Sequence, residues 1–342
     1  MEKERNGNTP KPIQEQALID ERYMRRCLHL ASCGEQGAPP NPMVGAVIVY
    51  KDRIIGEGYH IHCGEAHAEV NAVHSVKKED RAPLPESTIY VSLEPCAHYG
   101  KTPPCAELLV RTGFRRVVIG CLDPFSRVSG RGVEILRNAG IEVCVGVLEE
   151  ECRKLNRRFI TYHEKGRPYI TLKWAVSNDG YLDRWREPED DGSIAAPAKL
   201  STPETQVNVH HMRAVHQAIL VGHRTLLLDR PQLNVRHWAG RDPLKVVLGH
   251  IAEEELPAGW QAYADIDTLI VALHKQGVQS LLAEGGAKTL QAFIDAGLWD
   301  EAQEEQSAVV LGSGVPAPKM PRGVEKVIEK RWGVPFTHWY NT

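Results

Sequence analysis

The sequence predicts two successive α/β domains, and three observations carry that expectation. At 342 residues the chain is longer than one hydrophobic core usually serves. Apolar, β-branched runs that read as strands alternate with longer stretches that read as helices, first from Ala17 to Val147 and again from Tyr169 to Ala296. Between the two series lies a charged stretch with breakers, Tyr162 to Pro168, where Gly166 and Pro168 punctuate the chain.

In order along the chain, Ala17 to Cys33 reads as a helix, with Leu18, Tyr23, Cys27 and Leu30 on one apolar face. The Pro-Pro-Asn-Pro run at Pro39 to Pro42 ends any helix. Val44 to Tyr50 is a buried strand by its β-branched content, and Lys51-Asp52 turns it into a second strand, Arg53 to Gly58. Ala66 to Val76 reads as a helix, Thr88 to Leu93 as a strand and Ala106 to Thr112 as a helix. Strands at Arg116 to Cys121 and Ile141 to Val147 flank a helix at Val133 to Ala139. The second series begins with a strand, Tyr169 to Ala175, followed by a charged, Pro-containing loop at Trp185 to Pro197. A helix at Val207 to Val215 and strands at Ala218 to Val221 and Leu244 to Leu248 come next. Val278 to Ala283 is a strand that feeds a Gly285-Gly286 turn and a helix from Ala287 to Ala296. The expected division is a tail at residues 1–16, a first domain at 17–163 and a second at 164–342.

Composition narrows the function classes. With 41 Lys plus Arg against 44 Asp plus Glu, the formal net charge is −3, and no basic run offers a general grip on nucleic acid. No apolar run approaches the roughly 20 residues of a membrane span. The polar start, Met1 to Gln16, lacks the apolar stretch of a signal peptide. The expectation is a cytoplasmic protein whose eight cysteines serve metal binding or catalysis rather than disulfides.

The sharpest local signal is His67-Ala68-Glu69, followed by Pro95-Cys96 and then Cys105. An imidazole and two thiolates make a three-ligand zinc site whose fourth position is open to water, the arrangement of a catalytic metal. Zinc lowers the pKa of that water, and Glu69, two residues from a ligand and not needed as one, can shuttle a proton to a departing amine. The pattern follows the H-x-E…P-C-x-x-C signature of nucleobase deaminases, except that Ala97 to Pro104 separates the two cysteines. Pro103-Pro104 suits a helix start at Cys105, and a helix N-terminus favours a thiolate. The insertion reads as a loop beside the metal that offers His98 and Lys101 to a substrate. Taken singly, a His-x-Glu triplet is mostly chance and scattered cysteines are mostly core. Here the triplet opens a helix and Glu-Pro-Cys closes a strand, and the joint order is hard to reach by accident. His60, His62 and Cys63 are rival ligands that lack the neighbouring Glu, and His60 is also a candidate substrate contact.

The residues Pro40 to Gly45, Gly58-Tyr59-His60, His67-Ala68-Glu69 and Glu94 to Cys105 resemble the deaminase half of the bifunctional riboflavin-biosynthesis deaminase/reductase family. That resemblance implies a cytidine-deaminase-like, three-layer α/β domain, with Asn41 hydrogen-bonded to substrate and the loop bearing His98 and Lys101 facing a ribose phosphate. Asp123-Pro124 resembles a further loop of the family, with Phe125 departing from the commoner Asn. In the second half, Lys173 to Gly180, Arg213-Ala214, Val221 to Thr225, Asp229 to Arg236 and Glu284-Gly285-Gly286 are similar to the family's reductase. There the likeness implies a dihydrofolate-reductase-like fold using NADPH, with Ala175, Thr225, Asp229 and Gly286 on the cofactor and Arg213, Leu233, Arg236 and Glu284 on the substrate. An arginine pair suits a ribose phosphate, since guanidinium forks match its oxygens. Read without the resemblance, the Gly285-Gly286 turn is equally a tight strand-to-helix turn or an anion site.

The implied reaction has two steps: zinc-hydroxide deamination of 2,5-diamino-6-ribosylamino-4-pyrimidinone 5′-phosphate, then NADPH reduction of the ribosyl group. The expected partner is this pyrimidine ribonucleotide, with no nucleic acid and no membrane, and the chain is expected to be a homo-oligomer. Many relatives carry Ser-x-Trp before the Val207 helix, where this chain has Pro197-Ala198-Lys199. A second domain that binds nucleotide without turnover is therefore the alternative. A deaminase of free or nucleic-acid cytosine or adenine is disfavoured by the second half and the lack of basic runs. A nucleotide-binding or structural-zinc protein is disfavoured by Glu69 beside a three-ligand site, since a structural zinc would want a fourth protein ligand.

Overall fold

The structure is a computed structural model, and it describes residues 13–99, 103–125, 130–187 and 193–341. The chain divides into two compact units between Glu164 and Lys165. Among the described residues, no helix is long and apolar enough to cross a membrane.

The first unit contains α1 (Ile13–Ser32), β1 (Gly45–Tyr50), β2 (Arg53–Tyr59), α2 (Ala68–Ser75), β3 (Thr88–Leu93), α3 (Cys105–Thr112), β4 (Arg116–Cys121), α4 (Arg131–Asn138), β5 (Glu142–Val145), α5 (Glu149–Leu155) and most of α6 (Arg157–Lys165). The strands form one mixed sheet, ordered β2-β1-β3-β4-β5. β1 and β2 pair antiparallel across a two-residue turn, with Lys51 and Asp52 both at positive φ, the type I′ geometry that suits a twisted hairpin. β3, β4 and β5 run parallel. Alternation along the strands sends Ala46, Ile48, Ile89, Val91, Val117 and Ile119 to one core with Ala72, Leu109, Val133 and Leu136 from α2, α3 and α4. Val47, Val49, Tyr90 and Val118 pack on the opposite face with Tyr23, Met24 and Cys27 of α1 and Cys152 of α5. Helices on both faces make three layers. Gly58 lets α2 lie against β2, because a Cβ there would drive into the backbone of Ala72.

The second unit contains β6 (Tyr169–Val176), β7 (Tyr181–Asp183), α7 (Pro203–Val215), β8 (Ala218–Gly222), α8 (His223–Asp229), β9 (Leu244–Leu248), β10 (Gln261–Tyr263), α9 (Ile266–Lys275), β11 (Ser280–Ala283), α10 (Ala287–Asp295), β12 (Glu301–Gln306), β13 (Val315–Pro316), β14 (Glu325–Arg331) and β15 (Val334–Tyr340). Its main sheet is ordered β10-β9-β8-β11-β6-β12-β15-β14. The first six strands in that order run parallel, β15 runs antiparallel to β12, and β14 pairs antiparallel with β15 and so returns to the direction of the first six. One face carries Ile170, Leu172, Trp174, Leu220 and Leu281 against Leu269, Leu273, Leu290 and Phe293 of α9 and α10. The other carries Ile219, Val221, Val247 and Leu282 against Met212 of α7 and Leu226 of α8. Thr202 and Thr205 close a reciprocal capping box at the start of α7.

Two boundaries differ from expectation. Helix α1 begins at Ile13, so residues 13–16 are helical rather than tail. Residues 162–165, read from sequence as part of the breaker, belong to α6, and the helix stops only before Gly166, whose φ is +64°. The charged side chains there lie along a helix, and Gly166 and Pro168 alone do the breaking.

Candidate functional site

In the first unit, three elements deliver one cluster. His67 is the N-cap residue of α2 and Glu69 sits in its first turn. Cys96 follows the end of β3, and Cys105 opens α3 after Pro104. His67 Nδ1 lies 3.6 Å from Cys96 Sγ and 3.3 Å from Cys105 Sγ. All three ligand atoms fall within 4.8 Å of one another, and among the described residues theirs is the only group of this kind. A tetrahedral zinc, at about 2.3 Å from sulfur and about 2.0 Å from nitrogen, sets neighbouring ligand atoms roughly 3.5 Å apart. One imidazole and two sulfurs at these separations therefore fit zinc. His62 and Cys63 stand outside the cluster, Cys63 exposed.

The electrostatics need a cation. Cys105 holds the Cys96 thiol down to about 4, against the cost of burial, with His67 and the Cys105 N–H at 3.2 Å adding to the effect. Cys105 is pushed up by sharing its surroundings with Cys96 and by burial. Two adjoining thiols ionise together only beside a positive ion. Glu69 is 3% exposed, and burial, followed by the Cys96 sulfur, pushes its carboxyl up to about 7. A group poised there can hold a proton and release it near neutral pH.

The surrounding shell is built from residues of the motif. His60 is buried, with Nδ1 against the Ala66 carbonyl at 3.1 Å and Nε2 against Asn41 Nδ2 at 3.0 Å. Both of its ring nitrogens are thus engaged, and burial lowers its pKa. His60 props Asn41 and packs edge-on against His67 at 5.3 Å, so the ring expected from sequence to contact a substrate also holds neighbouring groups of the protein. Asn41 spends one N–H on His60 and keeps its carbonyl oxygen. His98 is exposed, and Lys101 lies outside the described residues.

Glu94 is a residue whose role the sequence did not reveal. It is 3% exposed and takes four backbone N–H groups. Oε1 accepts from Gly132 at 2.9 Å and Val133 at 3.3 Å, and Oε2 from Gly130 at 3.0 Å and Asp123 at 3.3 Å. One carboxylate ties the end of β3 to the start of α4, two residues before a metal ligand. The signal available in the sequence was an acid directly before Pro-Cys on an apolar strand.

In the second unit, a cavity of about 1010 Å³ gathers Ala175, Arg213, Thr225, Asp229, Arg236, Glu284 and Gly286. It opens at the carboxyl ends of β6, β8 and β11, where ligands of parallel sheets bind, and its volume stands at the upper end of the range of ligand pockets. Gly286 caps α10, and a Cβ on the neighbouring Gly285 would meet the Thr289 side chain, so the backbone runs close over the helix start. Arg213 and Glu284 form a bidentate pair at 3.0 and 2.7 Å. Burial works against the Glu284 carboxylate, but the Arg213 charge outweighs it and holds the pKa below the usual range. Asp229 pairs at 2.7 Å with Arg186, which also binds Asp183. Nothing in the sequence singled out Arg186.

Leu233 departs from its expected place. Its side chain is 3% exposed and packs with Met212, Ile219 and Leu226 in the core, which leaves only its backbone to face a ligand. Pro197, Ala198 and Lys199 do line the cavity, with the Ala198 N–H on Asp183 Oδ1 at 2.8 Å. They bring no hydroxyl and no indole, while Trp185, 65% exposed, stands on the same wall.

Comparison with known proteins matches both halves. The family described as "Cytidine and deoxycytidylate deaminase zinc-binding region" matches residues 18–121, and the "RibD C-terminal domain" matches residues 168–331. The riboflavin biosynthesis protein RibD of Aquifex aeolicus is 35% identical, covering 92% of this chain and 94% of that protein. Its Escherichia coli K12 counterpart is 33% identical, covering 91% and 94%. Among solved structures, the Thermotoga maritima diaminohydroxyphosphoribosylaminopyrimidine deaminase/5-amino-6-(5-phosphoribosylamino)uracil reductase superposes with a TM-score of 0.83 at 34% identity, covering 95% of this chain and 99% of that one.

Proposed function

Since the chain belongs to the RibD family of bifunctional riboflavin-biosynthesis deaminase/reductases, we propose that each compact unit carries one of the two reactions, the first unit deaminating a pyrimidine ribonucleotide and the second reducing its ribosyl group. The enzyme uses zinc and NADP(H). The substrate is 2,5-diamino-6-ribosylamino-4-pyrimidinone 5′-phosphate, and the product of both steps is 5-amino-6-ribitylaminouracil 5′-phosphate. The eight free cysteines suit a reducing cytoplasm.

The observation that carries the deaminase reading is the His67, Cys96 and Cys105 cluster with Glu69 buried beside it. Bound by those residues, zinc makes a water acidic enough to act near neutral pH. Glu69 takes the water's proton on its carboxylate and returns it to the departing amine as ammonia leaves. The Asn41 carbonyl oxygen, held in place by His60, receives an N–H of the pyrimidine. His98 and Lys101 meet the phosphate.

In the second unit NADPH supplies the hydride. Ala175, Thr225, Asp229 and the Gly286 turn hold the cofactor, and Arg213, Arg236 and Glu284 face the ribonucleotide. Arg236 forks onto the phosphate, while the Arg213–Glu284 pair aims donors and acceptors at the sugar.

Incubation of the zinc-loaded chain with the diaminopyrimidine nucleotide tests both halves, with ammonia and product mass read with and without NADPH. Ammonia should appear in either case, and a two-hydrogen mass gain only with NADPH. Ammonia release with no NADPH oxidation would remove the reductase reading and leave a second unit that only binds nucleotide.

A further inference from the structure

One polar group on the cavity of the second unit has no part in the reading above. His210 lies on α7, three residues before Arg213, and is 3% exposed. The backbone N–H of Arg236 donates to its Nδ1 at 3.1 Å. An imidazole that accepts through Nδ1 is the neutral tautomer with its proton on Nε2. Burial, with the Arg213 and Arg236 charges and His237 beside it, holds the His210 pKa down to about 4. The ring is therefore neutral, and Nδ1 an acceptor, throughout the neutral range.

The segment that His210 touches needs an anchor. No helix or strand lies between Asp229 and Leu244, so the backbone around Arg236 is not held by a ladder of its own. Its ties run through a few side chains: Leu233 is buried in the core, and Asp242 Oδ1 accepts from the Val235 N–H at 2.8 Å, which leaves the Arg236 N–H to His210. Asn234 Oδ1 accepts from Arg236 at 2.8 Å, and the Asn234 carbonyl accepts from Arg213 at 3.3 Å. The His237 ring packs edge-on against His210 at 4.7 Å. His210 thus holds the main chain at Arg236, a residue that lines the cavity, from the same helix that presents Arg213.

We propose that His210 is a positioning residue of the reductase, which sets affinity for the phosphate of the ribonucleotide by pinning the backbone of Arg236. This rests on the reading that Arg236 grips that phosphate. Loss of one such anchor should weaken substrate binding by roughly tenfold, the worth of an ordinary hydrogen bond.

The test compares two substitutions in the full, zinc-loaded chain, using the deaminated nucleotide made by its own first step. His210→Leu fills the space without an acceptor, and His210→Asn places Oδ1 where Nδ1 stood. His210→Leu should raise the Michaelis constant for the deaminated nucleotide roughly tenfold, with kcat, the NADPH dissociation constant and ammonia release little changed. His210→Asn should restore it. Unchanged NADPH binding also certifies that the variant is folded. In an Arg236→Ala background, His210→Leu should add nothing, because the side chain it positions is gone. An Arg236→Ala variant with an unchanged Michaelis constant overturns the phosphate reading and this inference together. A raised constant in Arg236→Ala with no effect of His210→Leu, an independent further rise in the double variant, or failure of Asn to restore the constant overturns the His210 assignment alone.

Discussion

Glu94→Gln is the substitution whose effect the geometry fixes best. The wild-type carboxylate presents two oxygens, each taking one shorter and one longer backbone N–H: 2.9 and 3.3 Å on Oε1, 3.0 and 3.3 Å on Oε2. A glutamine keeps one oxygen and turns an NH2 toward the other pair, whichever way its amide is flipped. Two buried donors then face a donor. Hydrogen bonds to charged groups contribute about 1.5–3 kcal/mol each. With one of each lost pair long, the lower end applies, and the sum is about 3 kcal/mol. For a unit the size of the first, which ends at Glu164, that lowers its melting transition by roughly 6–12 °C. The affected transition is identifiable as the one that also shifts when zinc is chelated, because Cys96 stands two residues from Glu94. Calorimetry of wild type and Glu94→Gln with and without a chelator measures it, and zinc loss to a competing chelator should be faster in the variant. A zinc-sensitive transition within about 1 °C of wild type would show that the four contacts do not hold the end of β3, and the reasoning would fail.

Three other outcomes follow from the sites. Cys105→Ser should remove most of the zinc and all deamination, and metal analysis showing full zinc there, with loss in Cys63→Ser instead, would overturn the ligand set. Glu69→Gln should keep zinc and lose a factor of roughly 10²–10⁴ in ammonia release, while reduction of supplied deaminated nucleotide continues. Glu284→Gln leaves Arg213 without its partner at a site where the two side chains are 11% and 12% exposed, a loss of about 3–5 kcal/mol. Because the folded-state pKa of Glu284 is depressed, that stabilisation is fully present above the ordinary glutamate value of about 4.3 and is lost as pH falls through the folded value. Melts from pH 7 to pH 3.5 should show the gap between wild type and Glu284→Gln narrowing only at the acid end, and a constant gap would contradict the pairing.

Legibility of the sequence followed the physics of burial. GAVIVY, TIYVSL and RVVIGC read as strands because both faces are covered by helices, so the residues run apolar without a break. β12 reads EAQEEQ and gives no such signal. Its buried Glu305 is satisfied by Ser201 and Thr205 from another element, which no local pattern reveals. β14 and β15 at the sheet edge alternate charged and apolar residues too weakly to stand out, and α9 was hidden because Ile266 to Leu273 is apolar enough to pass for a strand. Within the sites, residues with distinctive chemistry and spacing stood out, His67, Glu69, Cys96 and Cys105 above all. Residues that act by holding others, Glu94, Arg186 and His210, did not, because each takes a partner 26 to 43 positions away in sequence that no local pattern reveals.

The strand order of the second unit also bears on how the chain is made. The sheet of the first unit starts from a hairpin whose strands are joined by two residues, so pairing can begin as soon as they emerge. β6 has no such neighbour. Its partners on either side are β11, which starts at Ser280, and β12, which starts at Glu301. While the ribosome adds the intervening hundred or so residues, Ile170, Leu172, Trp174 and Val176, all buried in the finished sheet, have no strand to pair with. Pairing across so long a separation is slow, since loop closure must precede the contacts that reward it. The second half is therefore where nascent chains are exposed longest to wrong partners, and where a holding chaperone would raise the yield of active enzyme most.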